Sequence, residues 1–112
     1  MGYDVHITRK ANWFEDGPDI SASEWQAYIA DDPEMTITGA AEAALPGGDV
    51  LRYQNSLLAE WRKPTGQTAW FDFRKGRVVV KNPDEETVEK MKRVARALRA
   101  RVQGDDGEFY GD

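Results

Sequence analysis

Between residues 82 and 102 the apolar side chains Val88, Met91, Val94, Ala95, Leu98 and Val102 recur at helical spacing, with charged residues between them. A stripe of this kind needs an apolar partner, because most of a short helix's stability comes from packing its apolar face. Most of the remaining apolar surface is written with period two, in short runs at 3–8, 50–53, 57–62, 69–73 and 77–81. The pattern therefore predicts a helix laid on a sheet. Asn82 is placed to cap that helix, Pro83 sits at its first position, and Asp84, Glu85 and Glu86 follow where the macrodipole favours anions. Glu86 with Lys90, and Glu89 with Arg93, are spaced four apart in the favourable order.

In the first run Tyr3, Val5 and Ile7 alternate with Asp4, His6 and Thr8, which predicts a strand with His6 on its solvent side. The later runs are separated by Asn55-Ser56, Pro64-Thr65-Gly66 and Lys75-Gly76, the punctuation of a β-meander. In the last hairpin Trp70, Asp72 and Arg74 point one way, Phe71 and Phe73 the other. Residues 35–38 form another short alternating run, and 40–48 are expected as irregular extended chain. A shorter helix opens at Ser21: Ser21 and Glu24 form a capping box, and Ile20 and Trp25 have the spacing of a hydrophobic staple. Its stripe is Trp25, Tyr28 and Ile29, and Asp31-Asp32-Pro33 ends it. Residues 101–103 are expected as a last strand, 104–107 as a turn with solvated acids, and 107–112 as a loose end. The sum is one α+β domain over residues 1–112: an antiparallel sheet of five or six strands on a long C-terminal helix, with a short N-terminal helix beside it.

A chain of 112 residues buries about two thirds of its extended surface on folding, enough for a core without metal or disulfide staples. It contains no cysteine, which excludes a disulfide framework and a cysteine zinc site and suits a reducing compartment. The start has no secretion signal and no apolar run reaches membrane length, so a cytoplasmic location away from membranes is expected. The formal net charge of -5 conceals a segregation. Residues 1–49 hold ten acids and two bases, residues 50–103 thirteen bases and six acids, and the last nine residues four acids and no base. The molecule is polarised.

His6 is the only histidine. A general base in a pocket roofed by Trp13, with Asp4 or Asp16 as its carboxylate, is one way to use it. No serine stands in a strained nucleophile turn, however: Ser21, Ser23 and Ser56 all lack that setting. The calcium-loop spacing from Asn12 fails, because Phe14 takes the third position and Ser23 the twelfth. Gly47-Gly48 lacks the following Lys-Ser or Lys-Thr of a phosphate loop. No metal and no cofactor is predicted. The cations Arg74, Lys75, Arg77, Lys90, Lys92, Arg93, Arg96, Arg99 and Arg101, near Trp70 and Phe73, form a basic region. Against a nucleic-acid surface stand the negative net charge and the helix dipole, which accounts for cations in the last turns.

Four tryptophans are many for this length, and most are expected in the core. Trp13 and Phe14, beside Glu15 and Asp16, are the ones a core does not explain. An aromatic pair in a charged rim is the pattern of a protein contact, here for a basic partner.

The stretch 3–9, the Trp25 helix ending in Asp31-Asp32-Pro33-Glu34, Val79-Val80-Lys81-Asn82-Pro83-Asp84 and residues 100–108 together resemble a group of small acidic bacterial proteins with no established activity. The likeness covers nearly the whole chain. In type the group is similar to immunity proteins encoded beside polymorphic toxins, which implies a non-enzymatic module that binds a basic toxin. The alternatives are a self-associating homodimer, and a small-ligand binder or enzyme using His6 with Asp4.

Overall fold

The structure, a computed structural model, describes residues 3–110. In chain order the elements are β1 (Asp4–Thr8), α1 (Ala22–Asp31), β2 (Met35–Ile37), β3 (Ala40–Ala44), β4 (Val50–Gln54), β5 (Leu58–Arg62), β6 (Thr68–Arg74), β7 (Arg77–Lys81), α2 (Glu85–Ala97), β8 (Arg101–Gly104) and β9 (Phe109–Tyr110). Seven strands form one antiparallel sheet in the order β2-β5-β6-β7-β1-β8-β9, and β3 pairs only with β4 as a separate ribbon. The fold is α+β, with one strand more than the upper expectation. A short helix precedes the meander and a second follows it.

One sheet face carries the core. Val5, Ile7, Ala59, Trp61, Phe71, Phe73, Val78, Val80 and Val102 pack there against Trp25 and Ile29 of α1 and Met91, Val94, Ala95 and Leu98 of α2. The capping box of α1 forms as read, Ser21 accepting from the Glu24 amide and the Glu24 carboxylate accepting from the Ser21 amide. Ile20 and Trp25, the staple pair, are both buried.

Helix α2 departs from its reading in its cap and its length, while the strand expected at 101–103 forms as β8. The helix has 13 residues, so it is not long, and Asp84 caps it by accepting from the Thr87 amide at 2.8 Å. Asn82 adopts a left-handed φ of 45° and instead exchanges two hydrogen bonds of 2.8 Å with the Tyr3 backbone. Arg99, with φ 57°, turns the chain out of the helix, and the Ala100 amide closes on the Ala95 carbonyl at 2.8 Å. Val102 therefore belongs to β8, where its side chain still reaches the core. Lys90 does not lie on the surface with Glu86. It is 4% exposed and its ammonium meets Asp32 at 2.7 Å and Glu34 at 2.9 Å, tying α2 to the end of α1.

Residues 40–44, expected as irregular, form β3, and β4 leaves the meander to pair with it. Gly39, with φ 75°, makes the bend from β2 into this ribbon. Within residues 107–112, Phe109 and Tyr110 pair with β8, while residues 111 and 112 lie outside the described residues. Among the described residues no helix is long and apolar enough to cross a membrane.

Candidate functional site

The second sheet face carries His6, Thr8, Leu58, Asp72, Val79 and Gln103, the residues that alternate with the core positions. His6 stands opposite Val79 on one side and Gln103 on the other. This face is covered as well, which is why all of Val5, His6, Ile7 and Thr8 are buried. His6, expected toward solvent, is 3% exposed. A central strand between two covered faces leaves no solvent side, whatever its alternation suggests.

The cover over β1 is the loop that follows it, residues 9–21. Its first anchor is Arg9, whose guanidinium donates twice to the Leu98 carbonyl, at 2.7 and 2.9 Å, and grips the Glu24 carboxylate at 2.6 and 2.8 Å. The cation thereby sits on a carbonyl at the C-terminus of α2, the end where the helix dipole favours positive charge. The Glu24 carboxyl is pushed down to about 2 by that guanidinium and by Ser21. The second anchor is Gln103, fully buried: it accepts from the Trp13 amide at 2.7 Å and donates to the Asn12 side chain and the Gly107 carbonyl at 2.9 Å each.

Held in this way, the Trp13 indole lies flat on the His6 ring, with centroids 4.1 Å apart and planes within 6°. The expected roof over His6 is present, but the stacking leaves no room beneath it. The carboxylate on the ring is Asp105, not Asp4 or Asp16. Its Oδ1 is 2.8 Å from His6 Nε2, and its Oδ2 accepts from the Asp4 amide at 2.9 Å. Burial pushes the His6 pKa down against the pull of Asp105, and the nearby Arg77 pushes it the same way. Burial works against ionisation of Asp105, but the hydrogen bonds from His6 and the Asp4 amide prevail and hold its carboxyl below the usual range. A neutral imidazole beside a carboxylate donates through Nε2 and leaves Nδ1 as an acceptor. Nδ1 is buried without a partner among the described residues, as are Trp13 Nε1 and Arg77 Nε. With Nε2 on Asp105 and Nδ1 buried, the ring packs against the indole and helps to hold the loop. Among the described residues, no group of three or more His, Asp or Glu side chains could hold a metal ion.

What the loop presents outward is Phe14. It is 61% exposed and meets the Trp13 ring edge-on, at 5.5 Å and 88°. Glu15 and Asp16 are exposed beside it, and the Asn12 side chain donates to Glu15 at 2.8 Å. Trp13 is half-buried and has a charged neighbour, the Arg77 guanidinium, 5.4 Å from its ring centroid. The four residues singled out in sequence thus divide into a half-buried base, Trp13, and an outward edge of Phe14, Glu15 and Asp16. Sequence reasoning missed Asp105, Gln103 and Arg77. Asp105 read as a solvated turn acid, and Gln103 carried only the weak signal of a polar residue alternating with Val102.

Comparison with protein-family models, with curated proteins and with solved structures finds no match for this chain.

Proposed function

We propose that this chain is a protein-binding module whose contact surface is the Trp13–Phe14 loop. The observation that carries the reading is Phe14, a large apolar side chain 61% exposed on a loop whose base is fixed by Arg9 and Gln103. A solvent-facing aromatic on a pinned loop costs little further ordering when a partner covers it. Covering the exposed part of a phenylalanine, about 120 Å², is worth about 3 kcal/mol, the size of a hot spot. Glu15 and Asp16 flank it and favour a basic partner, chiefly through the rate and orientation of encounter. The most concrete form of this reading is an immunity-like inhibitor that covers a basic toxin.

The experiment places a photo-reactive phenylalanine at position 14, and in a parallel protein at position 62, an exposed site on β5. The reading expects one discrete cross-linked protein in the native host from position 14 and not from position 62. It expects the purified partner to bind directly and Phe14→Ala to weaken it. Identical products from both positions, or no product from position 14, would overturn the site.

A further inference from the structure

The ribbon β3–β4 stands over the second face of the sheet on the side away from the Trp13 loop. It is tethered at its base: Tyr53 Oη donates to Asp72 at 2.9 Å, Asn55 donates to Asp72 at 2.5 Å and to the Phe73 carbonyl at 2.9 Å, and the Thr38 amide donates to the Leu58 carbonyl at 3.0 Å. Between ribbon and sheet is a cleft of about 550 Å³, walled by Leu51 and Tyr53 above and by Leu58, Trp70, Val79 and Lys81 below. That volume lies within the range of small-molecule sites.

The ribbon wall is open to solvent, with Leu51 58% and Tyr53 43% exposed, while Leu58 and Val79 beneath it are buried, so an occupant would cover apolar surface that the ribbon leaves bare. The ionic groups that line the cleft are paired, with one exception. Lys63 meets Asp84 at 2.5 Å, and Arg74 meets Asp72 at 3.5 Å. The Lys81 side chain forms no hydrogen bond or ion pair among the described residues. Asp4 stands opposite it in the β1–β7 register, yet no ion pair joins them. A cation left single at the edge of an apolar cleft selects for negative charge in whatever fills the cleft.

We propose that this cleft binds a small molecule that combines an apolar body with one anionic group, the body between ribbon and sheet and the anion on Lys81. The site is independent of the Phe14 loop, so either assignment can fail without the other.

The test uses two probes with the same body, naphthalene-2-carboxylate and the neutral naphthalene-2-methanol, titrated into the whole labelled chain and followed by amide NMR. Saturable shifts are expected at Leu51, Tyr53, Trp70 and Lys81, with the carboxylate bound about three- to fivefold more tightly. Lys81→Met should abolish that preference, and Leu51→Ser should weaken both probes while the spectrum stays folded. Shifts that appear elsewhere, no saturation at millimolar carboxylate, or a preference that survives in Lys81→Met would overturn the proposal.

Discussion

Replacing Lys90 by methionine tests how α2 is fastened to the rest of the molecule. The methionine keeps most of the apolar stem and deletes the ammonium, which lies 2.7 Å from Asp32, 2.9 Å from Glu34 and 5.7 Å from the centre of the Trp61 ring. The Asp32 side chain is only 10% exposed, so the variant leaves a nearly buried carboxylate without its cation, a situation that costs about 3–5 kcal/mol. The Glu34 side chain is 46% exposed, and its leg of the pair is worth no more than about 1 kcal/mol. Asp32 retains the Tyr28 hydroxyl at 2.5 Å and the Glu34 amide at 2.9 Å, which places the expected loss at the lower end, about 3 kcal/mol. For a domain of this size that is a fall in Tm of about 12–18 °C. The assay is urea denaturation at neutral pH with calorimetry beside it. A loss under about 1 kcal/mol would refute the reasoning, because the pair would then behave as an exposed one. Asp32→Asn with Glu34→Gln, added to the variant, should recover most of the loss, since the uncompensated charge is then gone. Acid provides a second check. Both carboxyls sit below their ordinary values of 3.8 and 4.5: at Asp32 the hydrogen bonds from Lys90 and Tyr28 outweigh burial, and at Glu34 Lys90 leads. Depressed carboxyls contribute stability above those values that is lost as pH falls through the lower, folded ones. Lys90→Met should therefore lose less stability on acidification below about pH 4 than the parent does.

Three further outcomes follow from the same geometry. Because burial lowers the His6 pKa below 6.5, the unfolded chain takes up the proton first, and stability should fall as pH drops below about 6.5; a urea midpoint that does not change in that window, or that changes equally in His6→Gln, contradicts this. Gln103→Leu removes three hydrogen bonds from the base of the loop, and hydrogen exchange at Asn12 and Trp13 should rise with a stability loss of about 1–3 kcal/mol, whereas unchanged exchange would show the loop is held by other contacts. Gly76→Ala should cost about 2 kcal/mol or more in denaturation, because Gly76 has φ 76° and an added Cβ would collide with the Asp19 side chain; a loss under about 0.5 kcal/mol would show that the turn relaxes.

The parts of the fold legible in sequence were those with a local cause. The α1 start rests on four neighbouring residues, and the inward and outward sets of the last hairpin follow from the pleat alone. The last strand at 101–103 was legible, but the cap of α2 and its exact exit were not, because Asn82 and Asp84 both suit a cap and the exit runs through Arg99 where glycine is the usual signal. Residues 40–44 are mostly alanine, which shows neither alternation nor strand preference, so the ribbon they form with β4 depended on pairing that sequence does not display. At the site, the aromatic pair and its acidic flank were visible, and so was the roof over His6. The partners that hold them, Gln103 and Asp105, lie about ninety residues or more away in sequence, and strand order alone brings them there.

The central claim, that Phe14 is the anchor of a protein contact, is tested most directly by the affinity of the cross-linked partner, once purified, for the parent chain and for Phe14→Ala. The account predicts a loss of about 30-fold, equivalent to about 2 kcal/mol, at unchanged fold stability. Affinities within about twofold of each other would contradict it.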